Sequence, residues 1–164
     1  MATESLSISE MLANEFEPKK SYQWVMQIDG IDSFTFESAT RPNKTYEEIV
    51  LPYINTLRYI SGRMVPQTME IVLKDPIAPS AAQKVMNWLR LNYESETGRA
   101  GYSVMYKKDI YLKLLDGIGN VVEKWELKGT WVTVANFNEL TYETGNAPVK
   151  INCTLRWDRA ILSY

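Results

Sequence analysis

The residue types that usually do chemistry are almost missing from this chain. Its 164 residues include no histidine and one cysteine. Without imidazole there is no Ser-His-Asp or Cys-His nucleophile, no HExxH zinc site and no default proton shuttle. A single Cys153 excludes an intramolecular disulfide and a cysteine-rich metal site. Set between Asn152 and Thr154 in an alternating run, it reads as a buried reduced thiol. Carboxylates remain, and a hydrolase would need two of them converging across a cleft. Glu47 and Glu48 are adjacent, so on a strand they point to opposite faces and cannot converge. Glu94 and Glu96 stand in a polar stretch where solvation accounts for both. The Asp29-Gly30-Ile31-Asp32 run lacks the further acidic positions of a calcium loop. Gly117 and Gly119 mimic a phosphate loop, but Val121, Val122 and Trp125 continue as a strand pattern, whereas phosphate loops open into a helix. No enzymatic activity, metal or cofactor is expected.

Composition narrows the class further. The hydrophobic share of 45% and charged share of 23% are those of a globular chain, and the length suits one domain over residues 1–164. A net charge of −2 argues against a dedicated nucleic-acid binder, which needs a basic field. No apolar run approaches the roughly 18 residues of a membrane helix. The first eighteen residues have neither the basic start nor the apolar core of a secretory signal. Asn43-Lys44-Thr45 and Asn152-Cys153-Thr154 are therefore chance glycosylation sequons.

The elements that would position any site are mostly strands. Residues 1–18 read as an arm or short helix, with Ser7 and Glu10 as a capping box and Ile8, Met11, Leu12 and Phe16 at helical spacing. Tyr22 to Ile28 alternates, Asp29-Gly30 turns, and Phe34-Thr35-Phe36 is expected to return antiparallel. Thr40 to Asp75 holds a long hairpin whose ribbon, Lys44 to Arg63, should turn near Pro52, Tyr53 and Asn55. Its faces are both mixed, which suits a protein that completes its sheet with neighbours. Met69 to Leu73 is a strand. Ser80 and Gln83 cap a helix whose apolar face is Ala82, Val85, Met86, Leu89 and Tyr93, widened by Ala81 and Trp88. Glu94 to Lys108 is a polar loop of functional length. Asp109 to Leu115 and Val121 to Leu127 form a hairpin, and Gly129 allows a kink or bulge. Val132 to Glu143 and Val149 to Arg159 form a final pair. The sum is an α+β, mainly β chain: a two-sheet β-sandwich or barrel with one flanking helix and a long β-hairpin.

The order of these motifs resembles the tail tube proteins of contractile-tailed, T-even-like bacteriophages over about Tyr22 to Asp158. The resemblance rests on Phe34 to Thr40 leading to a proline, and on the ribbon ending Ser61-Gly62-Arg63. It continues through the strand to Asp75, the helix with Trp88, and Tyr106-Lys107-Lys108. Leu127 to Trp131, Asn138 to Tyr142 and Leu155-Arg156-Trp157-Asp158 complete it. Val132 departs from the family, which tends to place proline there. Initiators, terminators and the type VI secretion tube protein are relatives of the same kind. More distant alternatives are a monomeric β-barrel ligand-binding module and a carboxylate hydrolase.

The resemblance implies hexameric rings stacking into a hollow tube, the hairpin completing an inter-subunit barrel. It implies a tail sheath, a baseplate tube initiator and a tape-measure protein as partners, with genomic DNA passing unbound and no membrane contact. The location would be the virion, after synthesis in the host cytoplasm. Glu47 or Glu48, Glu139 and Glu143 are the expected lumen groups. The competing expectation pairs them with Arg41, Lys44 or Arg58 of a neighbouring subunit.

Overall fold

A computed structural model describes residues 17–143 and 145–164. The expected N-terminal capping box and apolar spacing, Ser7 to Phe16, lie outside the described residues. The strands are β1 (Trp24–Ile28), β2 (Phe36–Ala39), β3 (Lys44–Tyr53), β4 (Thr56–Pro66), β5 (Met69–Lys74), β6 (Tyr93–Glu94), β7 (Arg99–Ala100), β8 (Lys108–Leu115), β9 (Val121–Asn136), β10 (Lys150–Arg156) and β11 (Arg159–Leu162). Among the described residues, the helices α1 (Ala81–Asn92) and the single turn α2 (Ser103–Tyr106) join them. The chain is mainly β, as its alternation predicts.

One strand builds both layers. The first half of β9 pairs with β8, the middle with β11, and its last six residues with β10. The hydrogen-bonded order β1-β8-β9-β10-β5-β2 therefore folds over at a corner within β9. That corner is Gly129, at φ +65, where an added Cβ would lie 2.2 Å from the Asp158 carboxylate. Glycine is required for both reasons. Asp158 is held there by Lys107 at 2.6 Å and by its own N–H donating to Lys128 O. The expected bend is thus the joint of the sandwich, with strands changing sheet as they do at such corners.

Between the layers lies the core: Met26, Met69, Ile71, Leu73, Ile110, Leu127, Ile151, Leu155 and Trp157, all essentially inaccessible. Burying each such side chain contributes about 1.5–3 kcal/mol. β10 gives Ile151, Cys153 and Leu155 to it and turns Asn152 outward, the strict alternation its sequence shows. Cys153 is buried, and burial pushes its thiol up to about 11.

Helix α1 covers one edge of this core. Ser80 caps it, its hydroxyl accepting from Gln83 N, and Asp75 accepts from Ala81 N at 2.8 Å. The buried stripe is Ala81, Val85 and Trp88, and the Trp88 indole donates to Tyr106 O. Met86 and Tyr93, expected on the apolar face, are exposed. Spacing of 3.6 residues rotates Met86 off the Ala81–Val85–Trp88 line, and Tyr93 falls beyond the helix, in β6.

Three further expectations are corrected. β1 and β2 do not form a hairpin: β1 pairs with β8 and β2 with β5, in different layers. Gly30 does turn at φ +84, but a 3-10 turn at Ser33–Thr35 then carries the chain across the sandwich, with Thr35 buried. The stretch Glu94 to Lys108 is not plain loop, since it holds the small β6–β7 hairpin and α2. The strand expected to run to Glu143 stops at Asn136. There the Asn136 side chain accepts from Asn138 N, and Asn138 adopts φ +58, which asparagine tolerates and a ladder does not.

Candidate functional site

The most unusual surface is the ribbon of β3 and β4. Its two strands hydrogen-bond to each other along their whole length and, among the described residues, to no other strand. All ten residues of β3 are exposed, as are the first six of β4. The composition is nevertheless that of an interior: Ile49 is 50% accessible, Tyr59 60% and Ile54, at the tip, 86%. Side chains paired across the ribbon share a face. One face carries Glu48, Val50 and Pro52 with Ser61, Tyr59 and Leu57; the other carries Ile49, Leu51 and Tyr53 with Ile60, Arg58 and Thr56. Both faces are therefore apolar toward the tip. Monomeric proteins keep such long, exposed, apolar β-edges short or charged.

A bulge sets the ribbon's bend. Glu47 faces an extra residue at Gly62 and Arg63, and a Cβ at Gly62 would sit 2.9 Å from Glu47 O. Bulges increase the local twist, so the outer ribbon is re-aimed relative to its root. At the root Lys44 donates to Ala160 O at 2.9 Å, anchoring its face to β11. Glu48 shares the Lys44 face by strand parity, and Glu47 shares the Arg58 face. Both glutamates are exposed. They point apart, as adjacency in a strand requires.

Glu139 and Glu143 are brought to neither ribbon face by any strand. They lie exposed in the segment after β9, not in a strand. The other candidate carboxylates are spread out: Asp29 and Asp32 pair with Lys108 and Lys84, and Glu94 accepts from Thr97.

The sequence offered little hint of a buried clamp in which β9 holds the segments before β1 and β3. Glu123 is 6% accessible and accepts from Lys19 at 2.5 Å and from the Trp125 indole at 2.6 Å. The Arg41 guanidinium stands 3.6 Å from Oε1, the oxygen that accepts from Trp125. Burial alone pushes this carboxyl up, but the bonds from Lys19 and Trp125 and the charges of Lys19 and Arg41 outweigh it. Its pKa is held below the ordinary 4.5. A depressed folded pKa contributes stability that is fully present above the unfolded value and disappears as pH falls through the folded one. Lys19 is half-exposed, so the pair is partly screened. We expect Glu123→Gln to lower stability by about 1–2 kcal/mol at pH 7, with the gap shrinking as pH falls below 4.5. Denaturant melts at neutral pH and at about pH 3.5 measure this, and an equal gap at both would refute it.

The outward face of the layer β9-β10-β5-β2 is a second surface that sequence reasoning passed over. It presents Glu70, Lys74, Asn152 and Thr154, with Lys150 paired to Glu37 at 2.7 Å. The polar positions of β5 and β10 were the available signal. Among the described residues, two strand edges of this layer have no partner, β2 and the last third of β9. A hollow of about 550 Å³ lies between Ser21–Met26 and Ser33–Glu37, beside the sandwich rather than within it.

No family model matches the sequence, and comparison with curated proteins finds no match. Solved structures do share its fold. The chain is similar to one in the anti-feeding prophage tube-terminating cap, with a TM-score of 0.74 at 17% identity over 96% of this chain and 99% of that one. A chain of the extended sheath–tube complex of the PVC extracellular contractile injection system gives 0.71 at 17% identity, covering 97% and 99%. The sheath/tube terminator of that system gives 0.69 at 18%, covering 92% and 99%. The fold is that of tube and tube-terminator proteins of contractile injection systems.

Proposed function

We propose that this chain is a ring-forming subunit of the inner tube of a contractile tail. The observation that carries the reading is the β3–β4 ribbon, apolar and exposed on both faces and, among the described residues, paired with no other strand. A second copy laid along it supplies the missing contacts. The free edges of β2 and the end of β9 offer the complementary join, continuing one layer from copy to copy. Such a contact is heterologous and closes into a ring when its rotation closes. Six copies per ring, and stacking of rings, are implied by the resemblance to phage tail tubes.

In this arrangement the ribbon completes an inter-subunit barrel, and the outward polar face of β9-β10-β5-β2 borders the channel. The partners are a sheath outside, a baseplate initiator below and a tape-measure protein within. Genomic DNA is the cargo of the phage version and passes without specific binding. The likeness to a tube-terminating cap favours a second reading, an end ring. A main-tube subunit elongates indefinitely in solution, whereas an end ring stops at one layer, and negative-stain images of the purified chain separate them. A chain that remains monomeric at high concentration and adds to no baseplate or tube overturns both.

Glu47 or Glu48, with Glu139 and Glu143, are the proposed channel or inter-subunit groups, and Arg58 the proposed cross-subunit cation. Repetition around a ring turns one inward carboxylate into a belt of charge that repels phosphate weakly everywhere. Lysine in that belt adds phosphate contacts. We expect whichever of Glu47→Lys and Glu48→Lys faces the channel to slow DNA release from assembled particles, with the delay vanishing in high salt. The other variant should impair assembly. Unchanged assembly and unchanged release for both remove these glutamates from the site.

A further inference from the structure

The hollow of about 550 Å³ beside β1 is walled by Tyr22, Trp24, Phe34 and Phe36, with Glu37 in its lining. Tyr22 is 72% accessible and Phe34 68%, so two of these rings bury little of their surface within one subunit. Glu37 is only half satisfied. Its Oε1 accepts from Lys150 at 2.7 Å, while its Oε2 is shut off from solvent and, among the described residues, accepts nothing. A carboxylate oxygen in that state costs its desolvation until a donor reaches it. The last torsion of a glutamate is broad, so a modest rotation presents Oε2 to a group in the hollow. Aromatic walls around a carboxylate fit a guanidinium, which stacks on rings and forks onto both carboxylate oxygens.

The ribbon carries that group. Arg58 stands across from Leu51, with the Ile49–Ile60 and Tyr53–Thr56 pairs beside it on the same face. It takes part in no ion pair among the described residues. The other arginines are placed differently. Arg41 faces Glu123, Arg90 donates to Asn87, and Arg99 stands across from Glu94. Arg156 and Arg159 belong to the body strands β10 and β11, and Arg63 sits at the bulge. Arg58 alone projects on an element clear of the body, in apolar surroundings that match aromatic walls.

Its own hollow is not the receptor. From Lys44 to Leu51, the partner of Arg58, β3 spans roughly 23 Å. Lys44 is tied to Ala160 of β11, and every β3 residue beyond it is exposed, so the ribbon stands away from its own subunit. Key and receptor are different surfaces of one chain, which is the condition for a heterologous contact.

We infer that Arg58 on the ribbon of one copy enters the Tyr22–Phe34–Glu37 hollow of a neighbouring copy, where its guanidinium completes the Glu37 carboxylate. The inference rests on the tube reading and gives the ribbon a specific receptor. Apolar contact supplies the attraction, and the buried charge pair selects the register at which one copy meets the next.

The test is a double-mutant cycle on the full-length chain. Arg58→Gln and Glu37→Gln are each expected to weaken association about tenfold, and the two together about tenfold again rather than a hundredfold, because both remove one contact. Glutamine at position 37 keeps an acceptor for Lys150, and a thermal melt of each variant confirms the fold. Tyr22→Ala with Phe34→Ala, at two exposed positions, should weaken association as well. Cross-linking identifies the copy: Phe34→Cys and Thr56→Cys chains are mixed before assembly and treated with a short bis-maleimide, Cys153 being buried. A covalent dimer between the two variants is expected. Additive losses in the cycle overturn the inference, as do unchanged association of Arg58→Gln and failure of the mixed chains to cross-link within assemblies that form. Absence of any assembly by the unmodified protein would overturn the tube reading instead, so the two failures are distinguishable.

Discussion

Exchanging Ile49, Leu51 and Ile60 for aspartate is expected to abolish assembly while leaving a folded subunit. All three lie on one face of the ribbon and are 43–50% accessible, so none supports the core. On assembly each has about half a side chain left to bury, worth about 1.5 kcal/mol. Three such losses, with carboxylates desolvated besides, weaken subunit association at least about a thousandfold. The thermal midpoint should move by no more than about 3–6 °C, because exposed substitutions rarely cost more than about 0.5 kcal/mol each. Sedimentation velocity and a thermal melt on the same sample decide it. Wild-type assembly by the triple variant would remove the ribbon from the interface. A collapsed melt would show instead that it supports the fold.

Gly129→Val should have the largest effect on stability. The residue holds φ +65, closed to a β-branched side chain at a cost of roughly 1–2 kcal/mol. Its new Cβ would also strike Asp158 at Oδ2, Cγ and Cβ, at 2.2, 2.9 and 3.3 Å. Contact as far back as the Asp158 Cβ means that a rotamer change alone does not clear the space. Displacing Asp158 also gives up the pair with Lys107. Together these amount to about 3 kcal/mol, a fall in Tm of about 6–12 °C. Gly117→Ala is the control, with nothing within 4 Å and an ordinary φ, and should be neutral. Asp158→Ala in the Gly129→Val background should recover most of the steric share, since only the Cβ contact at 3.3 Å remains, and leave the φ share. If the Gly129→Val protein melts with the wild type, the corner is not the joint of the two layers.

These two expectations draw on different kinds of information. The ribbon was legible in the sequence because its β-branched and aromatic residues fall on both parities from Thr45 to Ile60. A half-buried strand alternates, and one apolar on both sides must be covered on both sides. The α1 cap at Ser80, the β8–β9 turn and the buried Cys153 were legible for the same reason: each depends on neighbours within a few residues. The lack of histidine likewise bears on chemistry before any fold is known.

Tertiary structure decided what depends on partners far along the chain. Asp29-Gly30 specifies a turn, but only the competition between β8 and β2 for the edge of β1 determines that no hairpin forms there. β8 supplies five paired residues. The glutamates show the limit most clearly. Alternation puts Glu47 and Glu48 on opposite faces, yet the bulge at Gly62 and the Lys44 anchor to Ala160 aim those faces. Glu139 and Glu143 leave the sheet because one asparagine accepts another's amide two residues on. Glu123 reads as an ordinary surface glutamate in an alternating strand. It becomes a buried clamp only when Lys19, 104 residues away, and Arg41, also distant in sequence, arrive beside it. Periodicity records which side of a strand faces apolar surroundings. It carries no record of which distant charge will be waiting there, because that is fixed by how the layers close.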